Sequence, residues 1–315
     1  MSGVKTREVD CSIRAADSKL DYVIRSIAGV ESEEKSGYSS AYRNVDPLGK
    51  NGIMCMRSLL IRIAEKCRRT VSYRFCRRIV TIRAAIPFIS FSFDDAPRTA
   101  FSHGGEILKA NGARATFFVS LGLLGCESPS GTIAFQNDLL HAVEEGHELG
   151  CHTFDHKDPW RTRAQVFEQS VLKNSVELAK ILPKTGFTTF AYPSRGPRPA
   201  TKRRIGKLFS CCRGGGQAFN VGKVDLNLLK SFFLDKRTKV DIDMVKEIID
   251  QNTLKRGWLI FSTHDVTDNP SPYGCTRRFF GEVVEYAARS GALILPVREA
   301  CEKLLISNFR SANSE

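Results

Sequence analysis

From residue 85 onward, short apolar segments alternate with helical segments, and this alternation restricts the chain to few folds. The segments 86–95 and 114–120 have the aromatic and alternating residues of strands, and the stretch between them has a helical pattern that ends at Gly112. The same order returns near the end of the chain, where the strand WLIFSTHD precedes a helical segment and the strand ALILPV. Strands that alternate with helices predict a parallel sheet with crossover helices, as an α/β barrel or a doubly wound sheet.

Four of the predicted strands end in residues that can carry chemistry. They run into Asp94-Asp95, into His152, into Pro193-Ser194-Arg195 and into His264-Asp265. In parallel α/β folds the C-terminal ends of the strands converge on one face, where ligands bind. We therefore expect these carboxylates, imidazoles and the guanidinium to meet at a common rim.

His152 and His156 stand four residues apart in a chain that contains only six histidines. If one helical turn follows the strand, both rings return to the same side, because residues four apart on a helix are neighbours. With a carboxylate from Asp94 or Asp95 they would form a three-ligand site with positions left open for water, as in catalytic metal centres. The alternative is a pair of surface histidines on a turn. Adjacent carboxylates point in opposite directions from an extended backbone, so one can bind metal while the other acts as a base.

These motifs, in this order, resemble a known family. SFDD, HTFDH, FAYPSRGPRP and LIFSTHD are similar to the motifs of the polysaccharide deacetylases, carbohydrate esterase family four, with its NodB-like domain. The likeness spans about residues 86–300. It implies an irregular (β/α) barrel with seven strands and a hydrolase that removes N-acetyl groups from a carbohydrate, such as a chitooligosaccharide, with metal-activated water.

The resemblance also implies a role for each matching residue. Asp94 becomes the general base and His264 the general acid, with Arg195 as the partner of the base and a backbone N–H near Tyr192 as the donor to the oxyanion. The implied ligands of a divalent metal, expected to be zinc, are Asp95, His152 and His156.

Three positions depart from the family pattern or leave it open. The family often has glycine after the two aspartates, where this chain has Ala96, which lacks the freedom of glycine at positive φ. Arg198 is a second candidate for the partner of the base. The aspartate that orients the acid histidine could be Asp225 or Asp235, and the spacing does not choose between them.

The N-terminal part of the chain differs in character from the rest. Residues 1–53 read as a disordered leader, and residues 54–84 as a basic amphipathic segment. Between residues 57 and 83 there are nine Lys or Arg side chains against one Glu. Such a helix could lie on an anionic membrane or on nucleic acid, or it could pack its apolar stripe on the main domain. The main domain is predicted to be residues 85–302, with a tail at 303–315. Met54 or Met56 could be the true start.

Composition limits the classes of protein to which the chain can belong. The longest apolar runs are too short to span a bilayer, and no signal-peptide core follows the first Met. The ten cysteines contain no CxxC pair, which is typical of reduced thiols. We therefore expect a cytoplasmic enzyme with a carbohydrate substrate and no nucleic-acid partner. Two alternatives stay open: an amidase of the same fold with a non-sugar substrate, and a catalytically silent protein that binds membrane or nucleic acid.

Overall fold

The computed structural model describes residues 63–82, 84–194 and 196–312. The chain divides into two compact units, Met1–Phe75 and Cys76–Glu315. In the first unit, residues 63–74 form helix α1. The predicted leader and the start of the basic segment lie outside the described residues. In the described part of the chain, no helix is both long enough and apolar enough to cross a membrane.

The second unit is built on an eight-stranded sheet. Its strands are β2 (Phe88–Asp94), β3 (Ala115–Val119), β6 (Glu148–Cys151), β7 (Thr189–Ala191), β8 (Cys211–Arg213), β10 (Phe232–Phe233), β11 (Trp258–Thr263) and β12 (Leu293–Ile294). Seven of them follow one another in the order β10-β11-β2-β3-β6-β7-β8, all parallel, and β12 pairs with β2 beside them. The seven-stranded parallel path confirms the prediction of an irregular (β/α) barrel.

Helices connect most of these strands. The crossovers contain α2 (Glu106–Ala110, preceded by a π-helical turn at Ala100–Gly105), α3 (Gln136–Glu144), α4 (Ala164–Ile181), α5 (Pro199–Ile205), α6 (Ile242–Leu254) and α7 (Arg277–Arg289). The last helix, α8 (Val297–Ala312), runs across the predicted boundary at residue 302. Outside the main sheet, β1 (Ile79–Thr81) pairs with β9 (Lys223–Asp225), and β4 (Glu127–Ser128) pairs with β5 (Gly131–Thr132) in a small hairpin.

The central strand β2 is buried along its whole length because the sheet is covered on both faces. Ile89, Phe91 and Phe93 belong to the larger core cluster, which the crossover helices complete, whereas Phe88 belongs to a second cluster that includes residues of α8. Successive side chains of a strand point to opposite faces. Asp94 therefore leaves the strand on the face opposite the larger core.

Candidate active site

The C-terminal ends of the sheet strands line a cavity of about 480 Å³. Each of the four predicted strand ends contributes at least one side chain to the cavity, because parallel neighbours place their C-terminal ends at one edge. Pro193 and Asp265 do not line it. Its lining includes Asp94, Asp95, His152, His156, Tyr192, Ser194, Arg213, Arg237, His264 and Tyr273. The hairpin of β4 and β5 adds Ser128, Pro129 and Ser130 to the wall.

Asp95, His152 and His156 form a three-residue group whose ligand atoms all lie within 4.8 Å of one another. The Oδ1 atom of Asp95 is 3.6 Å from Nε2 of His152 and 3.4 Å from Nε2 of His156. This oxygen is buried and has no hydrogen-bond partner within the described residues. A buried carboxylate oxygen without a donor is costly, and a divalent cation between the three side chains would satisfy it.

The orientation of the His152 ring also suits metal binding. Its Nδ1 lies 2.8 Å from the carbonyl oxygen of Ala191, so this nitrogen carries the proton and Nε2 presents its lone pair to Asp95. Burial, followed by the neighbouring charge of His156, holds the pKa of His152 well below its ordinary value of 6.5. The ring is therefore neutral at pH 7, as a metal ligand must be.

The backbone bends sharply where the strands enter the site. Asp95 and Ala96 have φ of 58° and 52°, and three further non-glycine residues around the cavity are also in the left-handed region: Thr153, His156 and Ser194. L-residues pay about 1–2 kcal/mol in this conformation. The turn after the two aspartates thus uses positive φ although Ala96 replaces the expected glycine, and the strain is concentrated at the site.

Asp94 is held by a partner that the sequence did not identify. Arg213 at the end of β8 forms a buried ion pair with Oδ1 of Asp94, and Ser262 Oγ donates to Oδ2 at 3.2 Å. Arg195 lies outside the described residues, so its predicted role stays a prediction. The alternative candidate, Arg198, is the N-cap residue of α5. The guanidinium that contacts the predicted base belongs to Arg213.

His264 lies near Oδ2 of Asp95, whereas His152 and His156 lie near Oδ1. Its Nε2 is 3.9 Å from Asp95 Oδ2, and its Nδ1 is 3.2 Å from the carbonyl oxygen of Tyr273. Burial lowers the pKa of His264 to about 4, against the opposing effect of Asp95. The carbonyl of Tyr273 thus occupies the place in which a carboxylate was expected.

The two aspartates considered for that place have other partners. Asp225 accepts a hydrogen bond from Lys202 Nζ at 2.6 Å, and Asp235 accepts one from Arg237 Nη2 at 2.5 Å. Of the two, the pair with Arg237 is next to the cavity, because Arg237 lines it. Neither pairing provides the orienting contact that the sequence analysis assigned to an aspartate.

Tyr192 lines the cavity as predicted, but its backbone does not offer the expected donor. The Tyr192 N–H donates to the carbonyl oxygen of Arg213 at 3.0 Å as part of the pairing of β7 and β8. An N–H that is engaged in a sheet cannot also stabilise an oxyanion without breaking that bond. The N–H of Tyr192 itself is therefore not available to an oxyanion, and the prediction of a backbone donor near Tyr192 stays a prediction.

Arg213 and Arg237 are site residues that no sequence motif identified. Arg213 is the last residue of the short strand β8 and precedes three glycines, which indicate a loop. The signal was present, since a basic residue at the end of a buried strand matches the position of the other site residues. Arg237 gave no such signal because it follows a two-residue strand.

The arrangement places a carboxylate, a candidate metal centre and an imidazole around one cavity. Asp94 can accept a proton from water, and His264, once it is protonated, can give a proton to a leaving group. This combination is typical of metal-assisted hydrolysis.

Comparisons with known proteins agree with these features. Residues 83–208 match the family model described as polysaccharide deacetylase. Peptidoglycan-N-acetylglucosamine deacetylase PgdA of Listeria monocytogenes is 28% identical over 120 residues, which are 37% of this chain and 22% of that protein. A probable peptidoglycan-N-acetylglucosamine deacetylase of Arthroderma benhamiae is 33% identical over 70 residues, 22% of this chain and 15% of that protein. The chain thus spans about a fifth of the length of PgdA.

Two solved structures illustrate the similarity of the backbone. The Xyl-CE4 domain of a multidomain xylanase from the hindgut metagenome of Trinervitermes trinervoides has a TM-score of 0.49 and 18% identity, covering 69% of this chain and 91% of that one. Peptidoglycan deacetylase PdaC from Bacillus subtilis has a TM-score of 0.49 and 14% identity, covering 73% of this chain and 96% of that one.

Proposed function

We propose that the protein hydrolyses the acetamide of an N-acetylated carbohydrate with the help of a divalent metal, because residues 83–208 match the polysaccharide deacetylase family model. One observation carries this proposal. The ligand atoms of Asp95, His152 and His156 lie within 4.8 Å of one another, with Asp94 and His264 beside them. A site with a ligand triad, a base and an acid supplies each group that amide hydrolysis needs.

Each residue of the site has a separate role in the proposed hydrolysis. A divalent ion held by the triad would make water more acidic and polarise the carbonyl of the amide. Asp94, fixed by Arg213 and Ser262, takes the proton of the attacking water. His264 gives a proton to the departing amine, which is otherwise a very poor leaving group. Because burial lowers the pKa of His264 to about 4, the ring is neutral at pH 7, and the proton that Asp94 takes from water has to reach His264 before the amine departs.

Zinc is the metal that we propose for the site. Two imidazoles and one carboxylate, with positions left open, are a ligand set that catalytic zinc accepts. The choice of carbohydrate rests on the named relatives, two of which are peptidoglycan-N-acetylglucosamine deacetylases. We therefore propose an N-acetylglucosamine residue of a glycan as the substrate, with chitooligosaccharides as the simplest test compounds.

Metal analysis of the purified protein tests the role of the triad. We expect His152→Ala and Asp95→Ala to lose bound metal and activity, and Asp94→Asn to keep the metal while losing activity. His141→Ala is a matched control, because the side chain of His141 is 76% exposed on α3 and does not line the cavity. Full metal content in His152→Ala would refute the proposed ligand set.

Product analysis tests the substrate class. Acetate release is measured with chitooligosaccharides and with peptidoglycan fragments, and the release of formate or ammonia is measured with a panel of non-sugar formamides and ureides. We expect turnover of the N-acetylated sugars only, and its loss in Asp94→Asn. Turnover of the non-sugar amides alone would favour the second candidate, an amidase of the same fold. Tight binding of anionic vesicles or DNA without any hydrolysis would favour the binding protein.

The location of the enzyme and the role of its basic segment stay proposals. We propose a cytoplasmic enzyme, with residues 57–83 available for contact with a membrane surface. Cell fractionation, compared between the full chain and a variant with three of these arginines replaced by glutamine, tests both.

A further inference from the structure

One wall of the cavity contains an arginine that the proposed chemistry does not use. Arg237 follows β10, and its side chain is 48% exposed. It lines the same cavity as the metal triad and His264. Asp94 already has Arg213 as its partner, so Arg237 is not needed to hold the base.

The guanidinium of Arg237 is fixed from two sides. Asp235, whose side chain is 0% exposed, accepts from Nη2 at 2.5 Å and from Nε at 3.2 Å. The Tyr273 ring lies against one face, with its centroid 4.2 Å from the Arg237 Cζ. Asp235 itself is anchored because it accepts the Thr238 N–H at 3.0 Å. A side chain already ordered in this way loses little further entropy when it binds a ligand.

The contacts leave one edge of the guanidinium open. Asp235 uses the edge formed by Nε and Nη2, so the distal edge formed by Nη1 and Nη2 still has parallel N–H groups. Within the described residues, Nη1 makes no hydrogen bond. Two parallel N–H groups match the paired oxygens of a carboxylate or a phosphate. Because Asp235 is buried behind Arg237, a ligand in the cavity meets the cation and not its counterion.

The position of Arg237 connects it with the reacting groups. The Tyr273 ring that supports Arg237 is 5.5 Å from the His264 ring, centroid to centroid, and the Tyr273 carbonyl oxygen is 3.2 Å from His264 Nδ1. A ligand group on Arg237 would therefore lie on the His264 side of the cavity. That is the side on which the proposed function places the departing sugar amine.

We propose that Arg237 is a specificity-determining residue that binds an anionic oxygen group, a carboxylate or a phosphate, on the sugar that bears the amide or on its neighbour. This inference rests on the proposed function for the identity of the sugar, but not for the charge preference. The substrate class is then an acidic N-acetylated glycan, and the neutral chitooligosaccharides are weaker ligands. Tyr273 and Asp235 act as positioning residues for Arg237.

Binding of matched ligands by isothermal titration calorimetry tests the charge preference without turnover. The zinc-loaded protein is titrated with the neutral N,N′-diacetylchitobiose and with an acidic disaccharide of glucuronate and N-acetylglucosamine. A second pair, N-acetylglucosamine and its 6-phosphate, distinguishes a phosphate from a carboxylate as the recognised group. We expect the protein to bind at least one acidic ligand about tenfold more tightly than its neutral counterpart, a typical effect of a charge-assisted hydrogen bond at a partly exposed site.

Variants of Arg237 separate recognition from support of the fold. We expect Arg237→Met to lose the preference for the acidic ligand while binding of the neutral ligand changes less than about twofold, and Arg237→Lys to keep part of the preference. Arg204→Met is a matched control, because Arg204 is 46% exposed, pairs with Glu168 and does not line the cavity. It should keep the full preference.

Three results would overturn the inference. The first is equal affinity of the protein for acidic and neutral ligands, and the second is an undiminished preference for the acidic ligand in Arg237→Met. The third is an equal loss of affinity for both ligands in that variant, because it would mean that Arg237 only supports Tyr273. A failure of the proposed function is a different result: it is the absence of acetate release from every sugar. That result leaves the binding comparison intact.

Discussion

The carboxylate of Asp94 and the guanidinium of Arg213 form a buried ion pair between the C-terminal ends of β2 and β8. Their side chains are 8% and 1% exposed, and the Arg213 Cζ lies 4.7 Å from the centroid of the Phe118 ring. Burial lowers the pKa of Arg213 to about 9, which still leaves it charged at pH 7. The pair joins two strands that are distant in the sheet order and fixes the proposed base in the cavity.

Removing Arg213 should destabilise the protein and abolish activity. In Arg213→Met the Asp94 carboxylate remains buried without its cation, and breaking a buried pair from one side costs about 3–5 kcal/mol. Chemical denaturation measures this as a lower free energy of unfolding. The double variant Asp94→Asn/Arg213→Met should recover most of that loss but remain inactive. If the double variant is as unstable as Arg213→Met, the ion pair is not the source of the effect.

His147 should make the fold sensitive to mild acid. Burial lowers the pKa of His147 below its ordinary value of 6.5, with Glu145 opposing the shift, and Nδ1 accepts the Ala115 N–H at 2.9 Å. The unfolded chain therefore takes up a proton first as the pH falls. The contribution of His147 to stability is present above pH 6.5 and is lost as the pH drops below that value.

Replacing His147 isolates this contribution. His147→Asn keeps an acceptor for Ala115 but cannot titrate, so its free energy of unfolding should fall less between about pH 7.5 and about pH 5 than that of the unmodified protein. Other buried histidines titrate equally in both proteins. His141→Asn, at an exposed position, should keep the original slope. Identical slopes for the unmodified protein and His147→Asn would contradict the prediction.

Glu148 should have the opposite dependence on pH. Its Oε1 accepts a hydrogen bond from Thr189 Oγ1 at 2.5 Å, and its Oε2 accepts hydrogen bonds from Thr116 Oγ1 and from the Arg298 N–H. Although these donors favour the carboxylate, burial raises the pKa of Glu148 above the ordinary 4.5. The folded state thus holds the proton more strongly, and stability falls as the pH rises through 4.5 towards the folded pKa.

Glu148→Gln should remove this loss because the amide is neutral at every pH. The difference in free energy of unfolding between Glu148→Gln and the unmodified protein should shift in favour of the variant as the pH rises from about 4 to about 7. Denaturant titrations at several pH values measure it. A difference that is independent of pH would show that the carboxyl group is ionised equally in both states.

Gly150 should not tolerate a side chain. A Cβ at this position would collide with the Phe118 ring, which lies beneath the Arg213 guanidinium. We expect Gly150→Ala to cost about 1–3 kcal/mol, as overpacking usually does, and to lower kcat by displacing Arg213. Gly186→Ala is the matched control, because a Cβ there meets nothing within 4 Å. Equal stability and activity of both variants would contradict the prediction.

The order of strands and helices, and the residues at the strand ends, were predictable because they are local properties. Alternation of side chains decides which residues face inward, and parallel strands place their ends together. These two properties predict that the strand-end residues meet at one rim, and the structure confirms it for five of them: one cavity is lined by Asp94, Asp95, His152, His156 and His264. The ligand triad in particular follows from two strand ends and one turn.

The partners of these residues were decided by the tertiary structure. Arg213 is one of 47 Lys and Arg residues and lies 119 positions from Asp94, so no local pattern singles it out. The pairing of β7 with β8 consumes the N–H of Tyr192, and the loop after β11 brings the Tyr273 carbonyl to His264. The residue types and their spacing along the strands predict which side chains reach the C-terminal edge of the sheet. Their hydrogen-bond partners depend on the register of the strands and on the paths of the loops, and both are fixed only when the sheet has formed.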